Sequence, residues 1–370
     1  MSPISYLSQF IFLLFFSLFL SIIFTFLSIK EKIIPNKFSN DIKNGLQKIH
    51  DGSIKRIGGL PLVLSLFLTL IFLKFFLNFE LNNNIFNILL FSLIIFIIGF
   101  LEDLIKDIKP NIRLLMLSMI TFLWLIYSKN LIQDTNIDFL DEILTIESFS
   151  IILSLITIIS ALNASNMMDG ANGLLTIFGI CVSVILICYA YKVNDTELIF
   201  FLITLVGSFI GFLIFNYPKG LIFLGDGGSY FIGAILATLL IYMSNNVNNF
   251  NMLNALIIMI YPIWELLFTI CRRIYQSSKI THPDNLHLHT IINASLKKSD
   301  FVIKKKLNSN PLTAVIVNIL AIIPSSLFLI YNFDKNLNDV ESLCFFVSLL
   351  FLYTTIYLLL IKRNQKSFKS

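Results

Sequence analysis

The sequence predicts an all-α polytopic integral membrane protein, with about 10–11 transmembrane helices and its active site on the cytoplasmic face. Three observations carry this. Hydrophobic residues make up 56% of the 370 and charged residues only 13%, against about 25% charged in a soluble domain. Mean hydropathy is +0.84. The apolar residues fall in runs of about 17–25, too long for strands and right for helices that cross a bilayer. That little charge cannot cover a soluble globule of this size, and so much apolar surface excludes a disordered chain.

Eleven crossings are expected, near 5–29, 57–77, 85–101, 113–128, 148–165, 171–191, 197–215, 227–243, 251–271, 311–332 and 339–361. The fourth, fifth and seventh are short or interrupted. The first lacks the basic start and small-residue cleavage site of a signal peptide. No linker or internal repeat divides residues 1–370, so the chain reads as one membrane-embedded domain. With the amino terminus outside, the cytoplasmic segments hold 23 Lys and Arg and the opposite side 3, which sets the orientation by the positive-inside rule. Cys181, Cys188, Cys271 and Cys344 lie in or beside apolar runs with no CxxC. They read as buried, inert thiols.

In so apolar a chain, clustered polar residues are the signal. Five clusters fall on the cytoplasmic side, within loops near 30–56, 102–113, 163–173, 216–229 and 272–310. Lys55-Arg56-Ile57-Gly58-Gly59 offers a basic pair and a glycine pair. It could hold phosphate against a close backbone, or simply snorkel at the membrane boundary. Glu102-Asp103, followed by Asp107 and Arg113, could hold a cation, accept a proton, or be a solvated helix end.

The third cluster, Asn163 to Gly173, contains Asn163, Asn166, Asp169 and Asn172 at spacings of three, so several can share a helical face. Facing lipid they would be costly, and such oxygen ligands suit Mg²⁺. A structural turn is the plain alternative. The fourth, Asn216 to Ser229, sets Asp226 among glycines that let phosphate oxygens or a metal approach; it too could be only a turn. The fifth is Arg272-Arg273, followed by His282, Asp284, Asn285, His287 and His289. The last two histidines share a side if extended and could bind a metal or phosphate. Carboxylates, amides, cations and histidines on one membrane face suit phosphoryl transfer, in which charge neutralisation is the main task.

These clusters resemble the polyprenyl-phosphate N-acetylhexosamine-1-phosphate transferase superfamily, glycosyltransferase family 4. Its Asn-x-x-Asn-x-x-Asp-Gly-x-[Asp/Asn]-Gly pattern runs from Asn163 to Gly173, and its Phe-x-Gly-Asp-x-Gly-Ser pattern from Phe223 to Ser229. An Arg-x-Gly-Gly entry stands at Arg56 to Gly59, the carboxylate pair at Glu102-Asp103, and the histidine loop at His287-Leu288-His289. All five occur in the family's order, over about residues 45–295. The family often has Asp-Asp where this chain has Glu102-Asp103. Asn172 replaces an acid and is a poor general base, a change some members share. The muramoyl-pentapeptide branch usually has three consecutive histidines, and this chain has two, separated by Leu288.

The resemblance implies transfer of an N-acetylhexosamine-1-phosphate from a UDP-sugar to undecaprenyl phosphate, releasing UMP, as the first membrane step of a surface glycan such as O-antigen or capsule. It implies a Mg²⁺ cofactor, for which Mn²⁺ could substitute, a bacterial cytoplasmic membrane, possible homodimerisation and no nucleic acid. By the same resemblance, Asp226 is a metal ligand with Asn166 helping, and Asp103 orients or deprotonates the lipid phosphate beside Glu102. Asp169 supports the metal and nucleotide pocket, and Phe223 stacks on uracil. Arg273, His287 and His289 contact pyrophosphate or sugar, Lys55 and Arg56 guide the lipid phosphate, and Asn163 and Asn172 line the substrate site. Two alternatives were weighed. Phospho-N-acetylmuramoyl-pentapeptide transferase is the runner-up enzyme. A transporter is the rival of another class, but its polar sites would sit at the midplane within repeats.

Overall fold

The computed structural model describes residues 3–30, 54–77, 79, 81–105, 108–247, 250–276, 286–333 and 339–368. Among these residues there are helices and no strands, as the apolar runs require: backbone polar groups in hydrocarbon must be satisfied within the segment. The long helices are α1 (Pro3–Ile29), α2 (Gly59–Leu77), α3 (Asn83–Ile105), α4 (Pro110–Ser128), α6 (Glu147–Met168), α7 (Leu174–Lys192), α8 (Thr196–Asn216), α9 (Gly225–Asn246), α14 (Ser309–Tyr331) and α15 (Asp339–Phe368). Shorter helices are α5 (Asp138–Leu144), α10 (Met252–Ile258), α11 (Ile260–Tyr275), α12 (Leu288–Lys297) and α13 (Asp300–Lys304).

The ten long helices can each cross a membrane by length and composition. They account for ten of the eleven expected crossings, including the three short ones. The ninth, 251–271, is the pair α10 and α11, bent by 75° at the break between them, a broken span or a re-entrant loop. Pro262, in the first turn of α11, has no N–H to bond back toward α10. A second proline, Pro324, lies inside α14 and likewise leaves the Leu320 carbonyl without its helical donor. The Tyr353 hydroxyl of α15 donates to that carbonyl at 3.0 Å, so the two helices are tied where the proline breaks the ladder.

Helix α9 is the centre. It is buried along nearly its whole length, and α2, α3, α6, α7 and α10 pack around it. Helices α1, α4 and α15 lie outside and expose most of their surface. That surface is apolar: Phe15, Phe19, Leu115, Leu123 and Phe351 are all exposed. Such a patch is untenable in water and natural against acyl chains. The cysteine expectation is corrected in the same terms. Cys188, Cys271 and Cys344 are exposed and only Cys181 is partly covered, because an apolar run in a membrane protein can face lipid as readily as core.

Candidate active site

The site forms at the amino-terminal end of α9. The first four N–H groups of a helix lack intrahelical partners, and no α9 side chain caps them. Asp103, in the last turn of α3, supplies the acceptor: its Oδ2 takes a hydrogen bond from Gly227 N at 2.9 Å. A buried carboxylate here also meets the positive end of the helix dipole. The approach needs glycine on both sides. A Cβ on Gly99, one turn before Asp103, would stand 2.7 Å from the Asp226 carbonyl and the Gly227 backbone. Gly225 has φ +76°, and a Cβ there would lie 2.5 Å from Asp103 Oδ2.

The segment before α2 brings the arginine. Phe223 N donates to the Lys55 carbonyl at 2.9 Å, Gly58 N to the Phe223 carbonyl at 2.8 Å, and Gly59 N to the Leu224 carbonyl at 2.9 Å. This pairing, with Gly59 against Gly228, places Arg56 over the end of α9. Its guanidinium lies 3.0 Å from Asp226 Oδ1 and 3.8 Å from Asp103 Oδ1. One arginine thus joins two carboxylates whose positions are 123 residues apart in sequence. Beside them, Arg113 of α4 donates to Glu102 Oε1 at 2.7 Å, while the buried Glu102 Oε2 has no hydrogen-bond partner among the described residues. Ser229 donates to Asn166 Oδ1 at 3.1 Å, and Asn166 Nδ2 donates to the Tyr230 hydroxyl at 3.1 Å. Asn166 of α6 is so held one turn into α9.

The remaining clusters close the site from the other side. Asp169 ends α6. Burial pushes its carboxyl up to about 8; Arg56 opposes this, and Asp226 and Asp103 add to it. His289 of α12 packs on the next residue: a Cβ on Gly170 would stand 2.2 Å from His289 Nε2. Burial, then His287, lowers His289 to about 4, with Glu265 opposing. It is a neutral imidazole at physiological pH.

The structure therefore brings together Arg56, Asp103 and Asp226, with Asn166 and Glu102 attached to them through Ser229, Tyr230 and Arg113. Other expected residues have local partners. Lys55 is buried and donates to the Ser28 and Lys30 carbonyls at 3.0 and 3.2 Å, closing the carboxyl end of α1. Asn163 Nδ2 donates back to the Ile159 carbonyl at 2.8 Å in its own helix. Asn172 Nδ2 donates to the Pro218 carbonyl at 3.0 Å, and Asn172 N to Asn310 Oδ1 at 2.7 Å. Phe223 and Arg273 are half-buried. Asp107, His282, Asp284, Asn285 and most of the 30–56 loop lie outside the described residues.

Sequence reasoning missed four residues. Asn216 joins the third and fourth clusters, accepting from Gly173 N at 2.6 Å and donating to the Ile222 carbonyl at 2.8 Å. Asn310 holds the same loop, and Tyr230 holds Asn166. Glu265 is fully buried and lies 2.9 Å from His287 Nδ1. Its signal was available: it is the only acid in the 251–271 apolar run, and an ionisable residue there marks a site by default.

Among the described residues, no three His, Cys, Asp or Glu are grouped to hold a metal. Mg²⁺ needs no such group, since it binds through one or two carboxylates and keeps its other positions for water and phosphate. Asp103 and Asp226, hard oxygen donors converging on one guanidinium, fit that pattern.

Fold and site define a multi-pass membrane protein whose polar centre is built from carboxylates, arginines, amides and histidines at one end of a buried helix. Residues 85–244 match the family model described as glycosyl transferase family 4, and three of the five motifs, Glu102-Asp103, Asn163 to Gly173 and Phe223 to Ser229, lie within that segment. The chain is 34% identical over 143 residues to a Bacillus subtilis protein named probable undecaprenyl-phosphate N-acetylglucosaminyl 1-phosphate transferase, covering 37% of this chain and 38% of that one. It is 27% identical over 140 residues to the undecaprenyl-phosphate alpha-N-acetylglucosaminyl 1-phosphate transferase of Thermotoga maritima, covering 38% and 42%. A shorter match, 41% over 75 residues, is to the phospho-N-acetylmuramoyl-pentapeptide-transferase of Leuconostoc mesenteroides, covering 20% and 23%. The chain thus matches about two-fifths of the length of the two N-acetylglucosaminyl relatives.

Proposed function

We propose that the chain transfers an N-acetylhexosamine-1-phosphate from a UDP-sugar to undecaprenyl phosphate and releases UMP. The observation that carries this is the Arg56–Asp103–Asp226 centre at the α9 amino terminus, whose two carboxylates lie inside the segment matched to the transferase family. An oxygen of the lipid phosphate attacks the β-phosphorus of the UDP-sugar. The bond from that phosphorus to the oxygen bridging to the α-phosphate breaks, and UMP leaves with the electron pair. A phosphate monoester has a second pKa near ~6, so the nucleophile is already mostly dianionic at neutral pH. The obstacle is repulsion between phosphates rather than lack of a base.

Arg56 supplies a planar, bidentate cation to phosphate and exchanges its carboxylate contacts for it. Asp103, locked on Gly227 N, and Asp226 would hold Mg²⁺, or Mn²⁺ in its place, with Asn166 beside them. The ion neutralises phosphate charge and orients the pyrophosphate. Glu102 keeps Arg113 in place. Burial raises the Asp169 carboxyl to about 8, which lessens its repulsion of phosphate. His287 and His289 face the same loop from α12, and Phe223 and Arg273 lie at its edge for the nucleotide and sugar. The Lys and Arg asymmetry supports an amino terminus outside and the site on the cytoplasmic side; the bacterial relatives support a bacterial cytoplasmic membrane, and the reading extends to a product that feeds a surface glycan. A homodimer is compatible with the exposed apolar helices.

The test is UMP release by purified protein given undecaprenyl phosphate, Mg²⁺ and a panel of UDP-N-acetylhexosamines that includes UDP-N-acetylmuramoyl-pentapeptide. Lipid-dependent turnover that stops with chelator and in Asp226→Ala is expected. Turnover with the pentapeptide donor alone would favour the other branch. No UMP with any donor, from protein shown to be folded, would overturn the reading.

A further inference from the structure

We propose that Glu265, which lies outside the five motifs above, is a positioning residue: it fixes the tautomers of both loop histidines so that their Nε2 atoms are left as hydrogen-bond acceptors. This rests on the function proposed above. Glu265 sits in the middle of α11 with no exposed surface, and both its oxygens are engaged. Oε1 lies 2.9 Å from His287 Nδ1. Oε2 accepts from Leu288 N at 3.1 Å and from the Tyr261 hydroxyl at 3.3 Å.

The first consequence concerns α12. His287 is its N-cap residue, and its side chain makes no capping hydrogen bond. Leu288 N, one of the groups a helix leaves without an internal partner, is satisfied by Glu265 from another helix. The carboxylate therefore anchors the start of α12 to α11 and holds the backbone from which both histidines project.

The second consequence is protonic. A carboxylate only accepts, so His287 Nδ1 must carry a hydrogen toward Oε1, and the neutral ring presents Nε2 as an acceptor. The Tyr261 hydroxyl has one hydrogen, which it gives to Glu265 Oε2. Its oxygen is then an acceptor, 3.4 Å from His289 Nδ1. His289 must donate there, so its Nε2 is also an acceptor. That atom is the one packed over Gly170, beside Asp169. The two rings lie nearly parallel, 5.5 Å apart and 5° from coplanar. One buried carboxylate thereby sets two imidazoles in the same tautomer and orientation, an arrangement of the kind that outer partners of catalytic histidines provide.

The experiment uses the full chain in bilayers with histidine labelled with ¹⁵N, at pH 8. His287→Gln and His289→Gln assign the signals. In the wild type both rings are expected as Nδ1–H, with Nε2 unprotonated. Glu265→Gln puts an amide N–H where a donor already points, and a mixed or Nε2–H population is expected, with kcat lowered about 10–100-fold. Glu265→Asp should recover part of both. An Nε2–H tautomer at either ring of the wild type overturns the proposal without reference to any variant. So does Glu265→Gln with unchanged tautomers and unchanged kcat. The spectroscopic readout needs no turnover: tautomers that behave as stated in a protein that releases no UMP would leave the Glu265 geometry standing and remove the proposed reaction.

Discussion

Gly99→Ala tests whether the spacing of α3 and α9 sets the reactive geometry. The added Cβ would lie 2.7 Å from the Asp226 carbonyl and from Gly227 N and Cα, where ordinary contact begins at 3.4 Å. All three neighbours are backbone and cannot rotate away. The helices must separate by about 0.7 Å, the least that relieves a 2.7 Å approach to 3.4 Å. Gly99 and Asp103 are four apart and share the face toward α9. The same displacement carries the Asp103–Gly227 bond from 2.9 Å to about 3.6 Å, beyond hydrogen-bond range. Overpacking costs about 1–3 kcal/mol, and a hydrogen bond to a charged group is worth about 1.5–3 kcal/mol; a misplacement near 1 Å can cost about 10²-fold in rate. Thermal unfolding in detergent and UMP release would be measured together, with Gly179→Ala as control. At Gly179 the nearest atom is the Phe209 ring at 3.0 Å, which can give, and the position lies away from the site. Gly99→Ala is expected to lose activity far beyond its loss of stability. Wild-type rates from Gly99→Ala would refute the claim that helix spacing positions Asp103.

The remaining expectations are shorter. Arg56→Lys replaces a fork by a point charge that cannot serve both Asp103 and Asp226; kcat should fall at least about tenfold, and an unchanged kcat would show that bidentate geometry is immaterial. Asn216→Ala removes two buried hydrogen bonds and leaves Gly173 N and the Ile222 carbonyl unpaired; unfolding titrations should show about 2–4 kcal/mol lost, and a change under 1 kcal/mol would remove its bridging role. His289, faced by His287, Glu265 and Tyr261, titrates near 4 in the fold and near ~6.5 when unfolded. Between those values the unfolded state binds more protons, so stability falls as pH falls, by up to about 3 kcal/mol. His289→Asn should flatten that part of the pH profile, and an unaltered profile would assign the acid sensitivity elsewhere.

What was legible in the sequence was legible because polar residues are scarce in it. An Asp at the very end of a hydrocarbon-length run must answer to something, and Asp103, Asp169 and Asp226 do. Helix existence followed from the same apolar runs. What was hidden depended on partners far away in sequence. Lys55 reads as phosphate-binding beside Arg56, yet its amine is spent on the carbonyls of α1, a contact no local pattern announces. The break at 251–271 had a local cue in Pro262, but the 75° bend is set by what α10 and α11 pack against. Glu265 was concealed by averaging: one acid barely lowers the hydropathy of twenty apolar neighbours, although burial makes that one acid the least replaceable of them.

The charge at the α9 terminus is an argument from these residues for the proposed metal ion, apart from the family resemblance. Four acids, Glu102, Asp103, Asp169 and Asp226, and two arginines, Arg56 and Arg113, are the charged groups tied into this centre. Each arginine is already paired with acid. Burial raises the Asp169 carboxyl, and Asp103 and Asp226 already share the one guanidinium of Arg56. A pyrophosphate and a lipid phosphate would bring several further negative charges into a site of low dielectric, where unscreened repulsion is worth many times its value in water. Arg56 alone cannot answer both the carboxylates and the phosphates. A divalent cation held by Asp103 and Asp226 would free the arginine for substrate and would offset the negative charge of the site. Chelation should therefore abolish substrate binding as well as turnover, and undiminished binding of UDP-sugar in chelator would show that the arginines suffice.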